Sequence, residues 1–169
     1  DSLYFYLAES VQLKEAKKAT LALARLQRAE ALATEAEKDT IQGIKYDILT
    51  VRALTLVSAK KYKAAAADLT TLIDQNPIDG DLLYNRGLCY SKLGKTKEAV
   101  ADLKTAIEVG HVEANKLHER INPLKKRVAY YVTRCCDGTT SSATGRGACS
   151  HHGGVCDWND PVYEEYRKY

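Results

Sequence analysis

The stretch Asp81–Val109, DLLYNRGLCYSKLGKTKEAVADLKTAIEV, reads as two helices joined by a turn at Leu93-Gly94-Lys95. Small residues stand where two helices must touch: Gly87 on the first, Ala99 and Ala106 on the second. Leu83, Tyr90, Leu93, Leu103 and Ile107 supply the larger side chains between them. Such a hairpin cannot bury its apolar face alone and needs neighbours of the same kind. A shift of 34 residues reveals one: Ala53 falls on Gly87, Leu56 on Tyr90, Ala65 on Ala99, Leu69 on Leu103 and Ile73 on Ile107. Pro77 closes the earlier unit, and His111 holds the equivalent region of the later one.

This period, with small residues at two helix crossings, resembles the tetratricopeptide repeat. The units run over Tyr46–Asp79 and Gly80–Val112. The resemblance rests on Tyr84-Asn85-Arg86-Gly87, Tyr90, Leu93-Gly94, Glu98-Ala99, Leu103 and Ala106. The earlier unit departs from the pattern by carrying Ala59-Lys60 where Leu-Gly is usual. The resemblance implies an all-α array of helical hairpins that binds a protein or peptide along the first helix of each pair. Projected onto this chain, that face carries Thr50 and Leu54, with Asp47 and Ser58, from one unit. The next unit supplies Tyr84, Leu88, Ser91 and Lys92, with Asp81. Members that hold a peptide carboxylate do so with a Lys, Arg and Asn cluster. Asn85 is present but most of the basic partners are not, so Leu54, Tyr84 and Leu88 point to a more apolar ligand.

The remaining N-terminal sequence extends the array. Leu3, Tyr6, Leu7, Val11 and Leu13 form one amphipathic segment with Ser2 as its cap, and Ala22, Leu26, Ala29 and Leu32 form a second. A turn near Lys14–Lys18 makes these a divergent first hairpin, because one helix of about 37 residues would overrun a small domain. The expected hairpins therefore span about 2–38, 40–76 and 80–109, with Asp39 or Thr40 opening the second. A capping helix follows over 111–121. Asn122-Pro123 ends it and sets a domain boundary, giving a repeat domain over 1–122 and a C-terminal module over 123–169.

The chain has 169 residues, 45% of them apolar and 28% charged, with a net charge of +3. That charge points to neither a nucleic-acid surface nor a membrane-binding face. No apolar run approaches the roughly 20 residues of a membrane span. The sequence starts at Asp1 and lacks methionine, the expectation for a processed product whose targeting segment has been removed.

The tail changes character. Leu124-Lys125-Lys126-Arg127 reads as a solvated linker and Val128–Thr133 as a strand. Pro161–Tyr169 is expected to form a helical turn capped by Asp160, with Tyr163, Tyr166 and Tyr169 as a stripe docking back on the body. Between them, Cys135–Val155 holds Gly138, Gly145, Gly147, Gly153 and Gly154 and a Ser/Thr-rich run, which is loop chemistry. Four of the five cysteines lie here: Cys135, Cys136, Cys149 and Cys156. The fifth, Cys89, reads as a small buried residue at a helix contact.

Adjacent cysteines rarely bond to each other, so Cys135 and Cys136 should each reach Cys149 or Cys156, and the residues alone leave both pairings open. The run Cys135, Asp137-Gly138-Thr139, Gly147, Cys149-Ser150, His152-Gly153-Gly154-Val155 and Trp158 resembles a small bacterial domain of unknown function found in exported proteins. The resemblance implies Cys135–Cys149, with Cys136–Cys156 as an additional pair, and a secreted or periplasmic location. Two other chemistries use the same residues. Cys135, Cys149, His151, His152 and Cys156 offer zinc ligands without the usual paired knuckles. Cys149 with His151 or His152 offers a nucleophile and base, at a spacing that seldom aims one at the other. Asp137 lacks the spaced carboxylates of a calcium loop and reads as a turn residue. The expected function is thus a non-enzymatic interaction scaffold without cofactor. The alternative is a zinc site or small Cys/His hydrolase delivered by the repeats.

Overall fold

The computed structural model describes residues 2–169. The chain divides into two compact units, one reaching to Ile121 and the other spanning Asn122–Tyr169. Among its described residues the first holds seven helices: α1 (Ser2–Glu15), α2 (Ala19–Glu30), α3 (Glu35–Ser58), α4 (Tyr62–Gln75), α5 (Gly80–Lys92), α6 (Thr96–Glu108) and α7 (Val112–Ile121). They form three hairpins, α1–α2, α3–α4 and α5–α6, with α7 packed on the last. This is the helical array expected from the repeat period.

The equivalences extend to the first hairpin once the offset is taken as 43 residues instead of 34. Ser10, Ala53 and Gly87 are all buried where the two helices of a hairpin cross. A Cβ on Gly87 would sit 3.0 Å from Leu103 Cγ and 3.3 Å from the Ala99 carbonyl, so glycine is required by close approach. Ala22, Ala65 and Ala99 occupy the facing positions with no exposed surface. The longer offset comes from α3, which runs for 24 residues and serves two clusters. Its Ile41 and Ile48 pack with Leu3, Leu26 and Ala29. Its Leu49 and Ala53 pack with Leu69, Leu72 and Leu103.

That helix also corrects an expectation. It opens at Glu35, with Thr34 as N-cap, and not at Asp39 or Thr40. The Thr34 N–H donates to Glu37 Oε2 at 2.8 Å and its hydroxyl donates to the same oxygen at 2.7 Å. These bonds, the backbone one foremost, hold the Glu37 carboxyl below its ordinary pKa. The first hairpin accordingly ends at Glu30 and the second begins five residues earlier than expected. Ser2 lies within α1 instead of capping it from outside.

The three inter-helix turns share one geometry despite different sequences. Lys17, Lys60 and Gly94 have φ of 58°, 60° and 76°. The next residue's N–H then bonds back, Lys18 to Leu13, Lys61 to Leu56 and Lys95 to Tyr90, at 2.8–2.9 Å. This is the left-handed helix ending that glycine favours, and a lysine there crowds its Cβ against the backbone. Lys60→Gly is expected to raise stability by about 1 kcal/mol, read as a shift in the urea midpoint.

Each hairpin also carries an ion pair across residues 16 apart. Arg52 grips Asp68 with Nε and a terminal nitrogen, both at 2.7 Å. Arg86 grips Asp102 in the same bidentate way at 2.8 and 2.7 Å. In the first hairpin the polarity is reversed, with Glu9 on the first helix and Arg25 on the second, 3.1 Å apart. Arg86 further donates to Thr70 Oγ1 of the preceding hairpin at 3.3 Å.

The second unit is a three-stranded antiparallel sheet in the order β2-β1-β3, built from β1 (Lys125–Cys135), β2 (Thr140–Ser141) and β3 (Val155–Tyr166). Lys125, Lys126 and Arg127 are therefore not a linker: they pair with Tyr166, Glu165 and Glu164. Pro161–Tyr166 is not a helical turn either, but the far half of β3, where Pro161 stands opposite Tyr131. The strand places residues three apart on opposite faces, so Tyr163 and Tyr166 form no stripe. Tyr163 is exposed. Past β3, the Asn122 side chain donates to the Tyr169 carbonyl at 2.6 Å and accepts from the Tyr169 N–H at 3.2 Å.

Candidate functional site

The first helices of the hairpins carry the face projected from the sequence. Thr50 and Tyr84 occupy equivalent positions, as do Leu54 and Leu88. Thr50 and Ser91 turn their hydroxyls onto the helix backbone, at the Tyr46 and Leu88 carbonyls, so neither offers its proton outward. Leu54 is 43% exposed, while Tyr84 and Leu88 are half-buried against the core. Lys92 is exposed. Asp47 lies 3.8 Å from Lys14, and the Ser58 hydroxyl bonds to the Leu54 carbonyl.

The structure adds α7 to this face. The His111 ring stacks on Tyr84 at 4.6 Å with a 16° interplanar angle. His111 Nδ1 accepts from the Ala114 N–H at 3.2 Å, which caps α7, and Nε2 lies 3.1 Å from Asp81. Beside Tyr84 a cleft of about 160 Å³ is lined by Glu113, Lys116, Leu117 and Arg120. Lys116 and Arg120 thus bring cations next to Tyr84 that sequence reading did not assign to the face. Their spacing of four on a short helix was the available signal. In the first hairpin, Leu7 and Val11 stand 43 residues before Thr50 and Leu54, and both are half-buried.

In the C-terminal unit, Cys135 is joined to Cys149 and Cys136 to Cys156, with Cα separations of 5.3 and 5.0 Å. Cys135 and Cys149 are buried. All four sulfurs are consumed in bridges, so they present no thiolate to a metal or substrate. His151 is exposed. His152 turns Nδ1 to Asp137 Oδ2 at 2.7 Å, not to Cys149. Asp137 Oδ1 accepts from the Thr139 hydroxyl and N–H at 2.6 and 2.9 Å. The Thr139 bonds, then His152, pull the Asp137 carboxyl down to about 2. Among the described residues no three His, Cys, Asp or Glu side chains converge to hold a metal ion.

A carboxyl with a lowered folded-state pKa adds stability that is complete above its unfolded value, about 3.9, and is lost as pH falls through the folded one. The turn Cys136–Thr139 is therefore expected to loosen between about pH 4 and pH 2. Asp137→Asn should flatten that dependence, read from the His152 and Thr139 NMR signals across the acid titration.

Cys89 is buried and unbridged, and burial pushes its thiol up to about 11. No described helix is long and apolar enough to cross a membrane.

The model of the tetratricopeptide repeat matches residues 80–110. A second model, described as a domain of unknown function (DUF3761), matches residues 129–159. No curated protein matches the chain. Among solved structures, the chain is similar to the myosin chaperone UNC-45 from C. elegans in complex with an Hsp90 peptide, at 18% identity and a TM-score of 0.49. That likeness covers 70% of this chain but only 13% of UNC-45. It is also similar to the MamA RS-1 double mutant at 14% identity over 72% of this chain and 83% of that one, with a TM-score of 0.45. For MamA AMB-1 the identity is 17% over 70% and 85% of the two chains, with a TM-score of 0.39. The chain carries a tetratricopeptide repeat and, after it, a disulfide-bonded module that matches the DUF3761 family model.

Proposed function

We propose that this chain is a non-enzymatic interaction scaffold that takes a protein segment along the first helices of its hairpins. The observation that carries this reading is the repeated pair Leu54/Leu88 beside the equivalent positions Thr50 and Tyr84, partly open to solvent, with Lys116 and Arg120 beside Tyr84. A segment with apolar side chains at intervals and an acidic group near one end suits that lining. The C-terminal module then serves as a stapled cap or a second recognition surface of an exported bacterial protein. Two bridges fit an oxidising compartment such as the periplasm or the exterior.

The reading is tested by selecting peptides from a displayed library against the full chain and measuring their affinity for variants. Leu54→Asp with Leu88→Asp should weaken the selected peptide at least tenfold, and Asp137→Asn should leave it unchanged. Equal binding to both variants would overturn the assignment. The alternative, a zinc site or Cys/His hydrolase in the module, requires free thiols. It is tested by the intact mass without reductant, which two bridges lower by about four units.

A further inference from the structure

The repeat array is polarised between its two turn edges. First helices neighbour one another, as the α1·α3, α3·α5 and α5·α7 contacts show, so they run the same way and all three intra-hairpin turns lie on one edge. That edge carries Lys17 and Lys18, Lys60 and Lys61, and Lys95 and Lys97, all exposed, against only two exposed acidic residues, Glu15 and Glu98. A shallow groove between the second and third turns, lined by Lys60, Lys61 and Lys63 with Leu93, shows these turns side by side. The opposite edge, where one hairpin passes to the next, carries exposed Asp74, Asp81, Glu108 and Glu113, and Glu35, which Lys38 holds at 2.6 Å. Helices of 13 or 14 residues hold the edges roughly 20 Å apart. That exceeds the Debye length of about 8–10 Å at 0.10–0.15 M salt and about equals it at 25 mM, so each edge presents its own sign to a neighbouring molecule.

We infer that the lysine-bearing turn edge of one copy docks on the acidic junction edge of a second copy. A second copy fits because both edges are made by the same stack of hairpins, so charges recur along them at the same spacing. The contact is head-to-tail and leaves one edge of each sign free, so it continues to longer assemblies. It joins exposed charges, so it is salt-sensitive and of modest strength.

Sedimentation velocity of the full chain tests this directly. At 25 mM salt the sedimentation coefficient should rise with concentration, and 500 mM salt should weaken association at least tenfold. Lys60→Glu/Lys61→Glu/Lys95→Glu should be monomeric, and so should Asp74→Lys/Glu108→Lys/Glu113→Lys, each with an unchanged circular dichroism spectrum. Mixing the two variants should restore association, since one then has two acidic edges and the other two basic ones. A chain that stays monomeric at low salt up to about 0.2 mM overturns the inference. So does association that survives both sets of reversals, or lysine-edge capture of poly-glutamate by a chain that does not self-associate.

Discussion

Cys149→Ser is expected to unfold the C-terminal module while the helical repeats stay folded. The module has little else to hold it, since Asn122, Thr133, Cys135 and Cys149 are its buried residues. Its strand β1 is exposed along most of its length, including Tyr130 and Tyr131. The Cys135–Cys149 bridge closes a separation of 14 residues and the Cys136–Cys156 bridge one of 20. Loops of that size contribute about 3 kcal/mol each in the chain-entropy model. A small sheet without an apolar layer does not replace that. Hydrogen exchange should therefore show lost protection over Lys125–Tyr166 and retained protection over α3 to α6, and reductant on the native chain should do the same. Persistent protection across β1 and β3 after loss of Cys149 would mean that strand pairing with the Cys136–Cys156 bridge suffices to carry the unit.

Arg86→Glu should cost about 3 kcal/mol, and adding Asp102→Arg should recover most of it. Asp102 is only 7% exposed, so the single change leaves two carboxylates together away from water. The double change rebuilds the pair with its sign reversed, as the first hairpin already does with Glu9 and Arg25. Bidentate geometry depends on arginine, which the swap preserves at the other position. Desolvation opposes the Arg86 charge, but the Asp102 hydrogen bonds outweigh it and hold the guanidinium above its ordinary pKa. Urea midpoints of both singles and the double close the cycle. A double variant no more stable than Arg86→Glu would show that the partner to Thr70, not the ion pair, is what the position needs.

The hairpins were legible because helix crossings demand small residues at fixed places. Gly87, Ala99 and their counterparts 34 residues earlier mark those crossings whatever the surface does. The first hairpin was legible only as helices, since the longer α3 moves its equivalences to 43 and hides Ser10 beneath Ala53. The start of α3 was also written in the sequence, in Thr34 and Glu37 at capping-box spacing, but Asp39 and Thr40 offered a competing cap nearer the repeat boundary. Ion pairs across residues 16 apart left no trace in a reading keyed to apolar spacing. The tail was harder. Charged Lys125-Lys126-Arg127 lacks strand character by propensity, yet cross-strand Glu164 and Glu165 supply its partners. Asp160 followed by Pro161 reads as a helix start, but β3 is an edge of the sheet, where proline is tolerated. For the candidate face, Leu54, Tyr84 and Leu88 followed from the repeat. Lys116 and Arg120 did not, because α7 read as a cap and not as a continuation of the lining.

The most direct measurement is an amide NMR titration of the full chain with a peptide selected against it. Binding along the first helices predicts shifts concentrated at Thr50, Leu54, Tyr84 and Leu88, reaching Lys116 and Arg120 on α7. Shifts confined to α2, α4 and α6, or to residues 122–169, would contradict the account and move the binding function elsewhere on the chain.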